Sequence, residues 1–234
     1  MKTIINRLIS EAGLEFINVD PKLDFAYYEE KDDFFLLLFY NYQDILQITD
    51  NNIRVLEYAL NTLVVNTKES EILSRFKERN INYNLSIILF VDLDTEYPLL
   101  FQEFNKAEEN YINAKKYILP YHGDVLANLK ERISETDNVA QTLNELAISH
   151  SDAISQIEEQ WYDLLLNLFI KIPFLNYKPA DHSLAIDSLS DSISETLSQR
   201  EASLLAIIND SNIAAVTDIE NFAFNKNMID NGTI

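Results

Sequence analysis

The segment NLSIILFVDLD, residues 84–94, constrains the fold more than any other stretch of this sequence. A short apolar run that ends in polar residues is typical of a β-strand in a protein core. The run FFLLLFY at 34–40 is apolar throughout, which predicts an inner strand that is covered on both faces. The sequence therefore predicts a sheet with helices packed against it.

Further helical and strand patterns surround these two strands. An aromatic-rich run at 24–30 is separated from the run at 34–40 by a short polar turn, which indicates a β-hairpin. The other predicted elements are helices at 4–12, from Asn51 or Asn52, at 68–79, from Pro98 and after Gly123, and a short strand at 117–119. This order predicts the fold class α+β, with a small mixed sheet flanked by helices in residues 1–136. A layered α/β arrangement and a plain α+β arrangement both fit the pattern.

The pattern changes after Asp137. Apolar residues recur at steps of three and four, and neither glycine nor proline interrupts residues 138–172. This spacing predicts one helix of about 30 residues. A second helical run at 186–208 would complete a long-helix hairpin, so residues 137–234 form a predicted helical docking region. Such a hairpin must pack on the first domain, on a second copy or on a partner helix; alternatively it completes its own domain's core.

The charge of the chain limits its partners. The net charge is −20, which repels nucleic acid unless a basic patch overrides it. Residues 1–132 carry 22 acidic and 14 basic side chains, whereas residues 133–234 carry 16 and 4. Direct DNA binding, if there is any, therefore belongs to the first part, and a basic protein partner suits the second. No apolar run is long enough to cross a bilayer, and the start lacks a signal-peptide core, so we expect a cytoplasmic protein with no membrane partner.

Residues that carry catalysis are scarce. The chain has no cysteine, which excludes thiolate chemistry and disulfides, and its three glycines cannot build a phosphate-binding loop. None of His122, His150 and His182 has a second histidine at metal-ligand spacing. His150 has the spacing of a half-buried seam residue. We expect no catalytic residue, metal or cofactor, and hence a protein that is not an enzyme.

One arrangement would contradict that expectation. Asp92 and Asp94 follow the predicted strand at 84–91, where α/β folds place ligands. Lys115 or Lys116 on a neighbouring strand would complete a metal-dependent nuclease. The simpler interpretation is a solvated strand end. A third alternative, suggested by the net charge, is an acidic DNA-mimic inhibitor.

The stretch AKKYILPYHG, residues 114–123, has two lysines, two tyrosines and a histidine. Together with the strand SIILFVDLD and the helix PLLFQEFNKAEEN before it, this stretch resembles the middle component of ABC-three-component defence systems, the Lamassu type among them. The likeness covers about one fifth of the chain. The matching residues are Glu108, Glu109, Tyr111, Lys115, Lys116, Tyr117, Ile118, Leu119 and Tyr121.

The resemblance implies a function without catalysis. It implies an adaptor in an anti-phage or anti-plasmid complex, between an ATPase similar to structural-maintenance-of-chromosomes proteins and an effector nuclease. Contact with DNA would then be only indirect, through the complex. The two lysines would then meet an acidic surface of this chain or of a partner. The residues that we expect at partner contacts are Lys115, Lys116, Tyr117, Tyr121, His150 and Trp161.

Overall fold

A computed structural model describes residues 1–95, 97–134, 136–150 and 160–179. Residues 1–180 form one compact unit, so the predicted division at residue 136 falls inside it. The predicted helix at 186–208, the second arm of the proposed hairpin, lies outside the described residues.

The described unit is an α+β fold built on a five-stranded mixed sheet. The strands follow the chain order across the sheet: β1 antiparallel to β2, β2 antiparallel to β3, and β3, β4 and β5 parallel. Their bounds are β1 Glu15–Asp20, β2 Leu23–Tyr27, β3 Phe34–Asn41, β4 Leu85–Leu93 and β5 Lys115–His122. The helices are α1 Lys2–Glu11, α2 Tyr42–Ile48, α3 Leu56–Glu69, α4 Ile81–Asn84, α5 Pro98–Glu109, α6 Gly123–Arg132, α7 Val139–Ser149 and α8 Gln160–Lys171, with 3₁₀ turns at Ile53–Val55 and Glu71–Phe76.

Two hydrophobic clusters cover the two faces of the sheet. On one, the α6–α8 face, Leu37 and Ile88 pack with side chains of α1, α6, α7 and α8. On the other, the α3–α5 face, Leu36 and Ile87 pack with side chains of α3 and α5. Successive strand residues point to opposite faces, so uninterrupted apolar runs are needed in β3 and β4. The predicted inner position of β3 and the predicted flanking helices are confirmed.

The hairpin prediction is confirmed as the pair β2–β3, while β1 was not predicted. In β1 only Ile17 and Val19 turn towards the core, against the α3–α5 face. The other four residues of β1 are exposed. An edge strand with two inward residues gives a periodicity too weak to recognise.

The prediction of one continuous helix over residues 138–172 is wrong. Helix α7 ends at Ser149, and His150 leaves helical geometry with φ −112° and ψ 21°. The Tyr162 hydroxyl donates to the carbonyl of Ala147 at 2.7 Å. In a straight helix residues 147 and 162 would lie about 22 Å apart. The spacing of apolar residues indicates only which face of a helix is buried. Helices α7 and α8 bury their apolar faces in the same cluster, so their spacing looks like that of one helix.

None of the described helices is both long and apolar enough to cross a membrane.

Candidate docking site

The acids and lysines of the predicted nuclease site lie at opposite ends of the sheet. Asp92, near the carboxyl end of β4, pairs with Tyr121 of β5. Lys116, near the amino end of β5, pairs with Ile87. The five residue steps from Ile87 to Asp92 along the strand span about 16 Å at ~3.3 Å per residue. The structure therefore does not bring these side chains together.

A crevice of about 460 Å³ does lie at the carboxyl ends of the parallel strands, and its lining includes Asp92, Asp94, Asn41 and Gly123. Helix α5 follows β4 on one face of the sheet, and α6 follows β5 on the other. Diverging connections of this kind open a crevice at strand ends in α/β sheets. Within the described part of the chain, no three acidic or histidine side chains are grouped to hold a metal ion.

In that crevice the Asp94 carboxylate is engaged by a tyrosine. The Tyr97 hydroxyl donates to Oδ1 of Asp94 at 2.6 Å, and this bond lowers the pKa of Asp94. The same bond raises the pKa of Tyr97 to about 12. The Tyr97 ring stacks on Tyr42 with centroids 3.8 Å apart, so the hydroxyl is held in place.

Lys116 is buried and serves the fold. Its side chain is on the α3–α5 side of β5, where Nζ donates to the carbonyls of Asn110, Ile112 and Ala114 at 2.7, 3.1 and 3.2 Å. Burial lowers the pKa of Lys116, and the Glu57 carboxylate, which also accepts from the Asn110 amide, opposes that shift. The predicted partner contact at Lys116 is thus replaced by an internal one, because only 2% of the residue is exposed.

The carbonyls held by Lys116 belong to the connection Asn110–Ala114 between α5 and β5, which we call the docking loop. Its backbone is fixed from within, since Asn110 Oδ1 accepts from the amide of Ile112 at 2.7 Å. It is also fixed from α3, since Lys68 Nζ donates to the carbonyl of Asn113 at 2.7 Å. Asn113 has a φ of 65°, a conformation that asparagine tolerates better than most residues.

The docking loop holds two large side chains in solvent. Tyr111 is 68% exposed and Ile112 is 61% exposed. The backbone beneath them is already ordered, so the loop loses little conformational entropy when a partner covers these side chains. Tyrosine is also among the residues that contribute most to protein–protein interfaces. This combination marks the loop as a candidate docking site.

Glu108, near the end of α5 and just before the docking loop, protects an edge of the sheet. Glu108 Oε1 accepts from the backbone amide of Ile118 in β5 at 2.7 Å, and Lys171 of α8 pairs with the same carboxylate. Pro120, in the same edge strand, has no amide hydrogen to leave unpaired. These contacts block the edge of β5 against a further strand.

The predicted contacts Tyr117 and Tyr121 are half-buried against the α6–α8 face. Burial, with the Asp92 carboxylate, raises the pKa of Tyr121. Lys115 is exposed and places its Nζ 4.9 Å from the centre of the Tyr117 ring. Of the four predicted partner contacts in β5, Lys115 is therefore the most exposed to solvent.

The remaining predicted contacts, His150 and Trp161, meet each other inside the unit. Trp161 is 5% exposed, and the Arg132 guanidinium lies 3.9 Å from its ring centre. The His150 ring is half-buried 5.2 Å from that of Trp161, and its Nδ1 contacts the carbonyl of Leu146 at 3.2 Å. Both side chains thus join α7 to α8, which confirms the half-buried environment predicted for His150 but gives Trp161 an internal role.

The docking loop was not predicted from the sequence, although a signal was present. In ENYINAKK two large apolar residues stand between asparagines, at the join of a helix and a strand. Apolar residues in a polar connection are unusual unless something covers them.

Comparison with known proteins gives no assignment: no protein-family model, no curated protein and no solved structure matches this chain.

Proposed function

We propose that this protein is a non-catalytic adaptor subunit of an ABC-three-component, Lamassu-type, anti-phage or anti-plasmid complex. In this proposal it bridges an ATPase similar to structural-maintenance-of-chromosomes proteins and an effector nuclease, in the cytoplasm. The family comes from the resemblance of the segment that ends in β5. The observation that carries the adaptor function is the ordered docking loop with Tyr111 and Ile112 exposed.

The chemistry of the loop favours a protein partner over a small molecule or DNA. Two exposed, largely apolar side chains on an ordered connection offer area for a protein partner to cover. Phosphate contacts need basic groups, and the two lysines that contact the loop, Lys68 and Lys116, donate to its backbone carbonyls. The net charge of −20 supports a partner with a basic rim around an apolar centre.

The experiment is co-expression of the tagged protein with the products of its neighbouring genes, followed by co-purification. The test variant replaces Tyr111 and Ile112 by serine together. Its matched control is Leu99→Ser at the far end of α5, where the side chain is 59% exposed. We expect the double variant to lose about 90% of the co-purified partner, since a central hot spot contributes on the order of 2 kcal/mol or more. The control should retain the partner.

Two results would contradict the proposal. One is wild-type protein that stays alone when all neighbouring products are present. The other is a double variant that retains its partners as fully as Leu99→Ser does. Thermal unfolding of each variant separates a lost interface from a lost fold, and both exposed substitutions should leave the midpoint nearly unchanged.

A further inference from the structure

Ser86 is the one polar residue between Leu85 and Val91 of the inner strand β4. Its register partners are Phe35 of β3 and Lys115 of β5, so the three residues form a row across the sheet. The alternation of β4 places Ser86 on the α6–α8 face. Because serine is small, this row leaves a pocket of about 430 Å³, which we call the Ser86 pocket.

Aromatic side chains line the Ser86 pocket. Phe35 and Phe174 meet edge to face with centroids 5.3 Å apart, while Tyr28 and Tyr117 line it from neighbouring strand ends. The volume lies in the range that small ligands occupy, and aromatic walls of this kind suit a planar ring.

Two ammonium groups belong to the same pocket. Lys31 Nζ lies 5.1 Å from the Tyr28 ring centre, and Lys115 Nζ lies 4.9 Å from that of Tyr117. In the residues that the structure describes, neither lysine forms an ion pair with a carboxylate, whereas Lys171 does. A hydrogen bond to Tyr117 raises the pKa of Lys115, so its charge is retained at neutral pH.

The Lys31 side of the pocket is held in place by Arg79. One guanidinium nitrogen of Arg79 donates to the carbonyls of Tyr28 and Lys31, each at 2.8 Å. Another donates to the carboxylate of Asp32 at 3.2 Å. Three bonds from one planar group fix the β2–β3 connection, and Lys31 is therefore presented from an ordered backbone.

We propose that the Ser86 pocket binds a phosphate monoester attached to a planar heterocycle, as in a nucleoside monophosphate. The two lysines match a phosphate monoester, which carries a charge of about −2 at neutral pH. The aromatic walls accept the ring, and the Asp33 carboxylate at the pocket accepts a hydrogen bond from a ring amino group. Asn84 and Asn176 supply further donors and acceptors. Side chains here replace the glycine-rich loop that the sequence cannot provide.

The test is calorimetric titration of the full chain with AMP, with inorganic phosphate and an acidic peptide as comparison ligands. The variants are Lys31→Ala, Lys115→Ala and Ser86→Leu, the last of which fills the pocket. Lys77→Ala is the matched control, because Lys77 is an exposed lysine outside the pocket. We expect AMP to bind more tightly than either comparison ligand, and each lysine variant to raise the Kd for AMP about tenfold or more, the effect of losing one charge-assisted bond. Ser86→Leu should raise the Kd for AMP as well, because the larger side chain occupies the space of the ligand. Lys77→Ala should leave the Kd unchanged.

Three results would overturn the proposal. AMP that does not bind the wild type disproves it, and so does binding that survives in both lysine variants. Phosphate or the acidic peptide binding as tightly as AMP would show that the planar ring is not recognised. The lysine variants change exposed groups, so they remain informative if Ser86→Leu proves too crowded to fold.

Discussion

Polar side chains have different surroundings at the two ends of the parallel strands. At the carboxyl end, Asp92 and Asp94 line an open crevice, and Asp94 accepts a hydrogen bond from the Tyr97 hydroxyl. At the amino end, Lys116 is hydrogen-bonded to backbone carbonyls of the α5–β5 connection, and Glu108 to a backbone amide of β5. The carboxyl end thus keeps the open crevice that is typical of an α/β ligand site. The amino end shows that a polar group near a sheet edge serves first to satisfy the backbone.

Among the substitutions that test this comparison, the one at Lys116 should change the stability most. In Lys116→Glu a buried carboxylate faces three carbonyl oxygens, so we expect the free energy of unfolding to fall by about 3–5 kcal/mol. Its neighbour provides the control: Lys115→Glu changes an exposed side chain and should cost less than about 0.5 kcal/mol. Urea unfolding measures both. Equal effects at the two positions would mean that Lys116 is not held as described.

A second, smaller effect concerns Glu108. Glu108→Ala removes the acceptor of the Ile118 amide and the partner of Lys171, and the unpaired groups should cost about 2 kcal/mol. Glu109→Ala, which alters the exposed adjacent acid, should cost less than about 0.5 kcal/mol. Thermal unfolding of the two variants measures both losses of stability. If Glu109→Ala is as harmful as Glu108→Ala, the protection of the β5 edge is not the source of the effect.

The smallest effect lies at the carboxyl end. Tyr97→Phe removes the hydrogen bond to Asp94, so the pKa of Asp94 should rise towards its usual value. A carboxyl whose folded pKa is lowered stabilises the fold above its unfolded pKa, and that contribution is lost as pH falls through the folded pKa. The variant should therefore be less stable than wild type at pH 6, and the difference should disappear as pH falls through the folded pKa of Asp94. Carbon NMR titration of the Asp94 carboxyl checks the shift, and an unchanged pKa would contradict the assigned bond.

The inner strands of the sheet could be predicted from the sequence, because only one position in a fold suits them. The apolar runs of β3 and β4 have no stable position except between two layers. The end of α7 at Ser149 was missed because two helices that bury their apolar faces in one cluster have the same spacing as one helix. Whether such a run forms one helix or two depends on contacts such as that between Tyr162 and Ala147, which join residues distant in sequence.

The candidate site was less predictable, for a related reason. Lys115 and Lys116 are chemically alike, and strand alternation predicts only that they face opposite ways. Which of them is buried depends on the carbonyls of the docking loop, whose path is set by Glu57 and Lys68 of α3. No local pattern contains that information. Tyr111 and Ile112 were overlooked because a search for chemistry disregards apolar side chains.

The Arg79 contacts have a consequence for the order in which the chain folds. They join residues 47 to 51 positions apart, and closing so long a loop is entropically costly until the elements between its ends are in place. The β2–β3 hairpin can pair early from local contacts, but its connection reaches its final form only when the segment before β4 has docked. The Lys31 side of the Ser86 pocket is therefore completed late, and a ligand there stabilises only chains in which β3 and β4 are already side by side.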